Sequence, residues 1–229
     1  MKKIDLKIWV IHYTKLINRK QHLKPILDNL GFKYTFIEVY DKEDLNQIDL
    51  KKFSLNMQKQ LNVLSLFKKH IYTFQEILNS EYKYNLIFED DVILNKHFTI
   101  YLEKALTQLP DNFDMLFIGD GCNIHIHPTF IEKDKYIYIK DVKPNKIGKK
   151  WGGIGSVKCT DSFLINKKTC LKLLDYYNKN IVYNPIDHWL NKVNIYLNLN
   201  IYWMEPTIVS QGSQNGVYKS SLELFRWDL

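Results

Sequence analysis

Apolar positions near the start of the chain fall in two short β-branched and aromatic runs, residues 7–11 and 34–39. A polar stretch and a helix-like segment over 22–30, stopping at Gly31, lie between them. A strand, a helix and a second strand in that order predict the first crossover of a parallel, doubly wound sheet. Over 57–78 the period changes: Leu61, Leu64, Phe67, Ile71, Phe74 and Leu78 recur every three or four positions, which predicts an amphipathic helix packed on that sheet. The most strand-like segment, 84–88, runs straight into Glu89-Asp90-Asp91, and a helix is expected over 97–109. Further strands are expected at 113–118, which ends in Gly119-Asp120-Gly121, and at 136–139, 161–165 and 201–205, with a helix at 168–177. The pattern predicts an α/β chain with a mostly parallel, Rossmann-like central sheet flanked by helices.

Two stretches break the regularity. Four of the nine glycines fall at 148, 152, 153 and 155, around Trp151 and the pair Lys149-Lys150. Residues 211–221 form a polar, glycine-bearing tail. Such segments are plain surface loops or, in a compact enzyme, lids and binding loops. No repeat or linker divides the chain, and 229 residues with 45% hydrophobic content suit one core, so a single domain over 1–229 is expected.

Charge narrows the partners only in part. The excess of 32 Lys and Arg over 25 Asp and Glu suits phosphate-bearing ligands, nucleic acid or an anionic membrane surface. The lysines are scattered in pairs, however, as solvated faces would also have them. No apolar run is long enough to span a bilayer, which leaves peripheral membrane contact open. The apolar run after Lys7 is cut off by His12, so no signal peptide is expected. Cys122, Cys159 and Cys170 are odd in number and lack CxxC spacing; they read as thiols of a reducing, cytoplasmic setting.

The candidate chemistry centres on Glu89-Asp90-Asp91, at the carboxyl end of a buried strand, where open α/β sheets bind ligands. Three adjacent carboxylates repel one another, and Mg²⁺ or Mn²⁺ relieves that while keeping sites for phosphate oxygens. Alternation along extended chain puts Glu89 and Asp91 on one face and Asp90 on the other. Asp91 is the expected direct metal ligand with Glu89 grouped beside it, and Glu89 or Asp90 is left to touch a ribose or an ordered water. The plain alternative is an acidic strand exit that caps a helix. His125-Ile126-His127 near Cys122 has zinc-like spacing but no second cluster, and Pro128 argues for a loop. Trp151 and Trp203 suit sugar stacking, although core packing claims most tryptophans.

The segment Leu86-Ile87-Phe88-Glu89-Asp90-Asp91-Val92 resembles the acidic motif of glycosyltransferase family 25, lipooligosaccharide and collagen sugar transferases of the GT-A nucleotide-sugar fold. His12-Tyr13-Thr14-Lys15-Leu16 with Arg19 resembles the family's first strand-loop, and Leu64-Ser65 through His70 its serine-histidine helix. Asn184-Pro185-Ile186-Asp187-His188-Trp189-Leu190 is similar to its Pro-hydrophobic-Asp segment. The resemblance implies a GT-A-type domain with a nucleotide-binding half over about 1–120 and an acceptor and lid half over about 121–229. It also implies a nucleoside-diphosphate sugar donor, expected to be a UDP-sugar, Mn²⁺ or Mg²⁺ on the acidic motif, and inversion during transfer to an acceptor hydroxyl.

Inversion needs a base for the acceptor proton, and Asp187 is the candidate. Asn184 as N-cap, Pro185 at the first helical position and Asp187 in the first turn also make a good helix start without catalysis. For the nucleotide sugar the candidates are His12, Tyr13, Arg19, Asp41, His70 and Asp90, with Gln211 and Lys219 of the tail closing over the diphosphate. Glutamine stands where some relatives place a histidine, which leaves the third metal ligand open. Trp151, Gly152, Gly153 and His188 are the acceptor and lid candidates. The bland alternatives are a core histidine at 70, a solvated loop acid at 41 and a helix start at Arg19. The main rival is a metal-dependent phosphoesterase or nuclease using Asp91 and Asp120 at neighbouring strand ends, which leaves the glycine-tryptophan stretch and the tail unexplained. A third reading, a non-catalytic RNA- or membrane-binding module, lacks the aromatic-flanked basic motif of an RNA-recognition sheet. No nucleic-acid partner is expected.

Overall fold

Leu6 to Ile11 carries apolar side chains on both sides of the strand, and the structure covers both. In the computed structural model, which describes residues 4–121, 125–140 and 158–219, this segment is β1 (Leu6–Ile11). Trp9 and Ile11 enter the core on one face of the sheet; Leu6, Ile8 and Val10 enter the core on the other. Strands buried on both faces read as nearly continuous hydrophobic runs.

The central sheet has seven strands, with β2 (Lys33–Ile37), β3 (Tyr84–Glu89), β5 (Met115–Phe117), β6 (Ile137–Lys140), β7 (Ser162–Ile165) and β8 (Ile201–Met204) in the order β2-β1-β3-β7-β5-β8-β6. The pairs β1·β2, β1·β3 and β5·β8 are parallel. The pairs β3·β7, β5·β7 and β6·β8 are antiparallel. Five strands therefore point one way while β7 and β6 oppose them, which bears out the mostly parallel sheet. A separate ribbon pairs β4 (Val92–Leu94) with β9 (Val209–Gln211).

Helix α1 (Ile17–Leu30) ends at Gly31, whose φ of 72° is the left-handed conformation that glycine adopts without a side-chain clash. It begins earlier than the expected residue 22 and so takes Arg19 into its first turn. The amphipathic stretch is two helices with a break at Gln60, α3 (Leu55–Gln58) and α4 (Leu61–Leu78), after a one-turn α2 (Gln47–Leu50). Phe67 and Phe74 of α4 are fully buried, each worth about 1.5–3 kcal/mol of apolar burial. With α4, helices α6 (Lys167–Lys179) and α7 (Ile186–Tyr196) supply side chains to one core, and α1 and α5 (Phe98–Gln108) to the other. The strand expected at 113–118 is shorter, and residues 128–130 form a 3-10 turn in the loop that Pro128 suggested. Among the described residues no helix is long and apolar enough to cross a membrane.

Candidate active site

Parallel pairing sets Ile11 of β1 beside Glu89 of β3, so the residues that follow each strand, His12 and Asp90, leave the sheet side by side. His12 Nδ1 lies 2.7 Å from Asp90 Oδ2, and the Tyr13 amide donates to the same oxygen at 3.3 Å. Arg19 Nη1 donates to Asp90 Oδ1 at 2.6 Å, its Nη2 donates to the Lys219 carbonyl at 2.6 Å, and its guanidinium sits 5.2 Å from the Tyr218 ring centroid. His12, Arg19 and Asp90 are all buried. Both Asp90 oxygens are thus occupied within the protein. The side-chain alternation expected across the triplet does not hold, because the chain leaves extended geometry after Glu89 and Asp90-Asp91 form the turn into β4. All three carboxylates border one pocket, each with different partners.

The β4-β9 ribbon draws the tail over Asp91. Gln211 pairs with Val92, the Gly212 amide donates to the Asp91 carbonyl at 2.7 Å, and the Ser213 amide donates to Asp91 Oδ2 at 3.3 Å. A Cβ on Gly212 would lie 2.5 Å from Tyr218 Cδ2 and 2.8 Å from the Asp91 carbonyl, so only glycine fits this approach. Asp91 Oδ1 and Gln211 Oε1 are buried without a hydrogen-bond partner. Burial, and next the Glu89 charge, push the Asp91 carboxyl up to about 6, against the pull of the Ser213 amide and Arg19.

On the other flank, Lys69 of α4 is buried and donates to Asp41 Oδ1 at 2.6 Å and to the Val39 carbonyl at 2.7 Å. Asp41 also accepts from the Thr14 amide at 3.2 Å and from the Thr14 hydroxyl. It is therefore a buried clamp that holds Lys69 at the pocket wall, in place of the solvated loop acid that its position also allowed. Ser65, one turn before Lys69, donates to the Tyr40 carbonyl at 2.7 Å. Tyr13, Arg19, Lys42, Ser65, Lys69, the acidic triplet and Gln211 line one pocket of about 780 Å³, open solvent at its mouth included.

A fourth carboxylate lies buried behind Glu89, outside the pocket lining. Because β7 runs antiparallel between β3 and β5, the residue before its first strand position, Asp161, sits at the carboxyl ends of its neighbours. Its carbonyl accepts the Glu89 amide at 2.8 Å, and Thr160 Oγ1 donates to Glu89 Oε1 at 2.8 Å. Asp161 is buried, accepts from Ser162 at 2.8 Å on one oxygen and leaves the other unpartnered. Burial, then the charges of Glu89, Asp120 and Asp91, raise it well above the usual carboxylate range. The same strand corrects the two-metal rival: β7 stands between β3 and β5, so Asp91 and Asp120 do not follow neighbouring strands.

Among the described residues no three His, Cys, Asp or Glu side chains converge as a preformed metal shell. What the chain offers is narrower: the free oxygens of Asp91 and Gln211 at a pocket edge, a donor set that suits Mg²⁺ or Mn²⁺, which take one or two carboxylates and complete their shell with water and phosphate oxygens.

The remaining candidates are dispersed. His70 is fully buried, stacked on Phe163, with Nε2 4.0 Å from Glu89 Oε1 and no hydrogen bond to either ring nitrogen. Lys219 contributes its carbonyl to Arg19 while its side chain is exposed. Asp187 lies in the first turn of α7 and accepts the His188 amide at 2.8 Å; neither residue borders the pocket. The N-cap of α7 is Pro185, not Asn184, whose side-chain oxygen accepts from Lys192 at 2.7 Å. His125 faces Glu205 at 3.2 Å and His127 faces Thr129 at 2.8 Å, so the two do not share a ligand. Trp203 is core. Trp151, Gly152, Gly153 and Cys122 lie outside the described residues. Lys69, Ser213 and Asp161 are not among the sequence candidates, and Ser65 enters there only as part of the serine-histidine helix. The four-residue spacing of Ser65 and Lys69 on one helical face was a usable signal; for Ser213 and Asp161 the local sequence carried none.

The family model described as "Glycosyltransferase family 25 (LPS biosynthesis protein)" matches residues 5–190. No curated protein matches the chain. Similar solved structures include a glycosyltransferase involved in the glycosylation of the major capsid of PBCV-1, at 10% identity over 93% of this chain and 99% of that chain, with a TM-score of 0.37. Another is the inositol-1-phosphate CTP transferase from T. maritima, at 13% identity over 90% of this chain and 69% of that chain, with a TM-score of 0.39.

Proposed function

Since the chain belongs to glycosyltransferase family 25, we propose that it moves a hexose from a UDP-sugar to an acceptor hydroxyl with inversion, on a GT-A-type fold and with Mn²⁺ or Mg²⁺ at Asp91. The observation that carries this is the meeting, in one pocket at the carboxyl ends of β1 and β3, of three cations, Arg19, Lys42 and Lys69, with the unpartnered oxygens of Asp91 and Gln211. A diphosphate leaving group accumulates negative charge as the sugar departs, and fixed cations in a partly enclosed site stabilise it without reorganising. Arg19 and Lys69 are held in place by Asp90 and Asp41, so both are preorganised. When bound, the metal would neutralise charge on the diphosphate. Asp91 and Gln211 would hold it, and Glu89, fixed by Thr160, would stay beside it.

With Mn²⁺ present, a UDP-sugar at a hundred times its Kd should stabilise the protein by about 2.7 kcal/mol, a rise in Tm of about 5–10 °C. Absence of any nucleotide effect, together with metal-dependent cleavage of phosphodiesters, would assign the site to hydrolysis instead.

For the acceptor proton, the proposed base is Asp187. Its carboxylate is half-exposed on a helix that packs against α4, and α4 supplies Ser65 and Lys69 to the pocket. Asp187→Asn is expected to lower the transfer rate at least about 100-fold, within the range of general-base contributions, with the donor-induced Tm rise unchanged. Turnover close to that of the parent would confine Asp187 to the helix start.

A further inference from the structure

Away from the pocket, a second surface stands out by composition. Residues 52–54 run alongside 181–183: Phe53 and Val182 form a parallel bridge, the Ser54 amide donates to the Val182 carbonyl at 2.9 Å, and the Val182 amide donates to the Lys52 carbonyl at 2.9 Å. Phe53 and Val182 point into the core, so by strand alternation their neighbours point outward. There the chain exposes apolar side chains: Ile181 at 44% and Tyr183 at 67%, flanked on α2 and α3 by Ile48 at 78% and Leu55 at 77%. Gln58 of α3 donates to the carbonyls of Leu50 at 3.1 Å and Phe53 at 2.8 Å, which ties α3 to the end of α2 and to the bridged segment. Single exposed apolar residues are ordinary, but large ones gathered on adjoining segments mark a contact surface.

The charges around them select the partner. Lys51 and Lys59 are exposed and make no ion pair among the described residues. Lys52 reaches across to the Asn178 carbonyl at 2.7 Å, which ties its charge to the same surface. Asp49, the acid nearest in sequence, is already paired with Lys68 at 2.7 Å. Apolar tips that include a tyrosine, surrounded by uncompensated lysines, match an anionic lipid surface: acyl chains take up the apolar groups, the interfacial layer suits the tyrosine, and headgroup charge attracts the ammonium groups. The same stretch of chain continues into Asn62, which borders the candidate active site.

We infer that the surface formed by residues 48–59 and 181–183 docks the protein on an anionic membrane, with the pocket mouth close to the lipid headgroups. Docking of this kind does not depend on the reaction proposed above, and it is measured without turnover.

The experiment is co-sedimentation of the full chain with vesicles of phosphatidylcholine alone or mixed with phosphatidylglycerol. Binding is expected only with the anionic mixture and should fall as salt is raised. Lys51→Gln with Lys59→Gln should weaken it about fivefold per lysine. Ile48→Ser with Leu55→Ser should weaken it at least about tenfold. In both pairs of variants Tm and the Tm rise with UDP-sugar and Mn²⁺ should match the parent, which separates loss of docking from loss of fold or of donor binding. Equal binding to neutral vesicles, no binding to either, or undiminished binding by both pairs of variants would overturn the inference. So would a dimer in light scattering that Leu55→Ser abolishes, since the surface would then belong to a second copy of the chain.

Discussion

Asp91→Asn is expected to abolish sugar transfer while making the ligand-free protein melt higher at pH 8. The two effects share one cause. The carboxyl of Asp91 stands at about 6 in the folded protein against an ordinary 3.8, because burial and then Glu89 disfavour its charged form. A carboxyl raised in this way contributes stability that is fully present below about pH 3.8 and is lost as pH rises through about 6. Above that the buried charge costs about 3 kcal/mol at most, since a tenfold change in a protonation equilibrium is worth about 1.4 kcal/mol. Asparagine keeps an oxygen for the Ser213 amide but carries no charge. The parent and the variant should therefore differ most at pH 8, and the gap should close by about pH 4 in thermal melts followed across that range. Added Mn²⁺ should raise the Tm of the parent and leave that of the variant unmoved. Retained transfer in Asp91→Asn would remove Asp91 from the site, and a gap that persists at pH 4 would mean that its charge is not what destabilises the fold.

Arg19→Met should cost about 3–5 kcal/mol of stability, the usual consequence of removing one partner from a buried ion pair. Methionine keeps much of the apolar stem, so the loss is electrostatic. Asp90 would retain His12 and the Tyr13 amide but lose its 2.6 Å partner in a pair whose side chains are each only 7% exposed. For a chain of 229 residues the fall in Tm would be about 6–20 °C. Pairing it with Asp90→Asn should restore a large part of the loss, because the uncompensated charge disappears; equilibrium unfolding in urea of the two single variants and the double variant measures the coupling. The same substitution frees the Lys219 carbonyl, so the segment after β9 should be cleaved faster by protease in Arg19→Met than in the parent. A double variant no more stable than Arg19→Met would show that the pair is not coupled.

What was legible in the chain and what was not divide along physical lines. The runs at 7–11 and 84–88 and the three-to-four spacing through Leu64, Phe67, Ile71 and Phe74 were readable because burial against an extended layer imposes a period on many residues at once. The break at Gln60 left no such trace. Neither did the three-residue strands β4 and β9, which are too short to hold a period, although their pairing is what brings Gln211, Gly212 and Ser213 over Asp91.

By itself the sequence placed an acidic cluster at the end of a buried strand and named Asp91, Arg19, Tyr13 and Gln211, all of which border one pocket. Which carboxylate does what was decided by tertiary structure alone. Asp90 is spent on Arg19 and His12 because the β1–β3 register sets the two strand exits side by side. Asp41 is withdrawn into a clamp because Lys69 of α4 arrives over it. Asp161 lies buried beside Glu89 because β7 runs against its neighbours, and the direction of a strand is written in no local pattern: it follows from where the chain must travel between strands, which only the complete packing of the helices on the sheet determines.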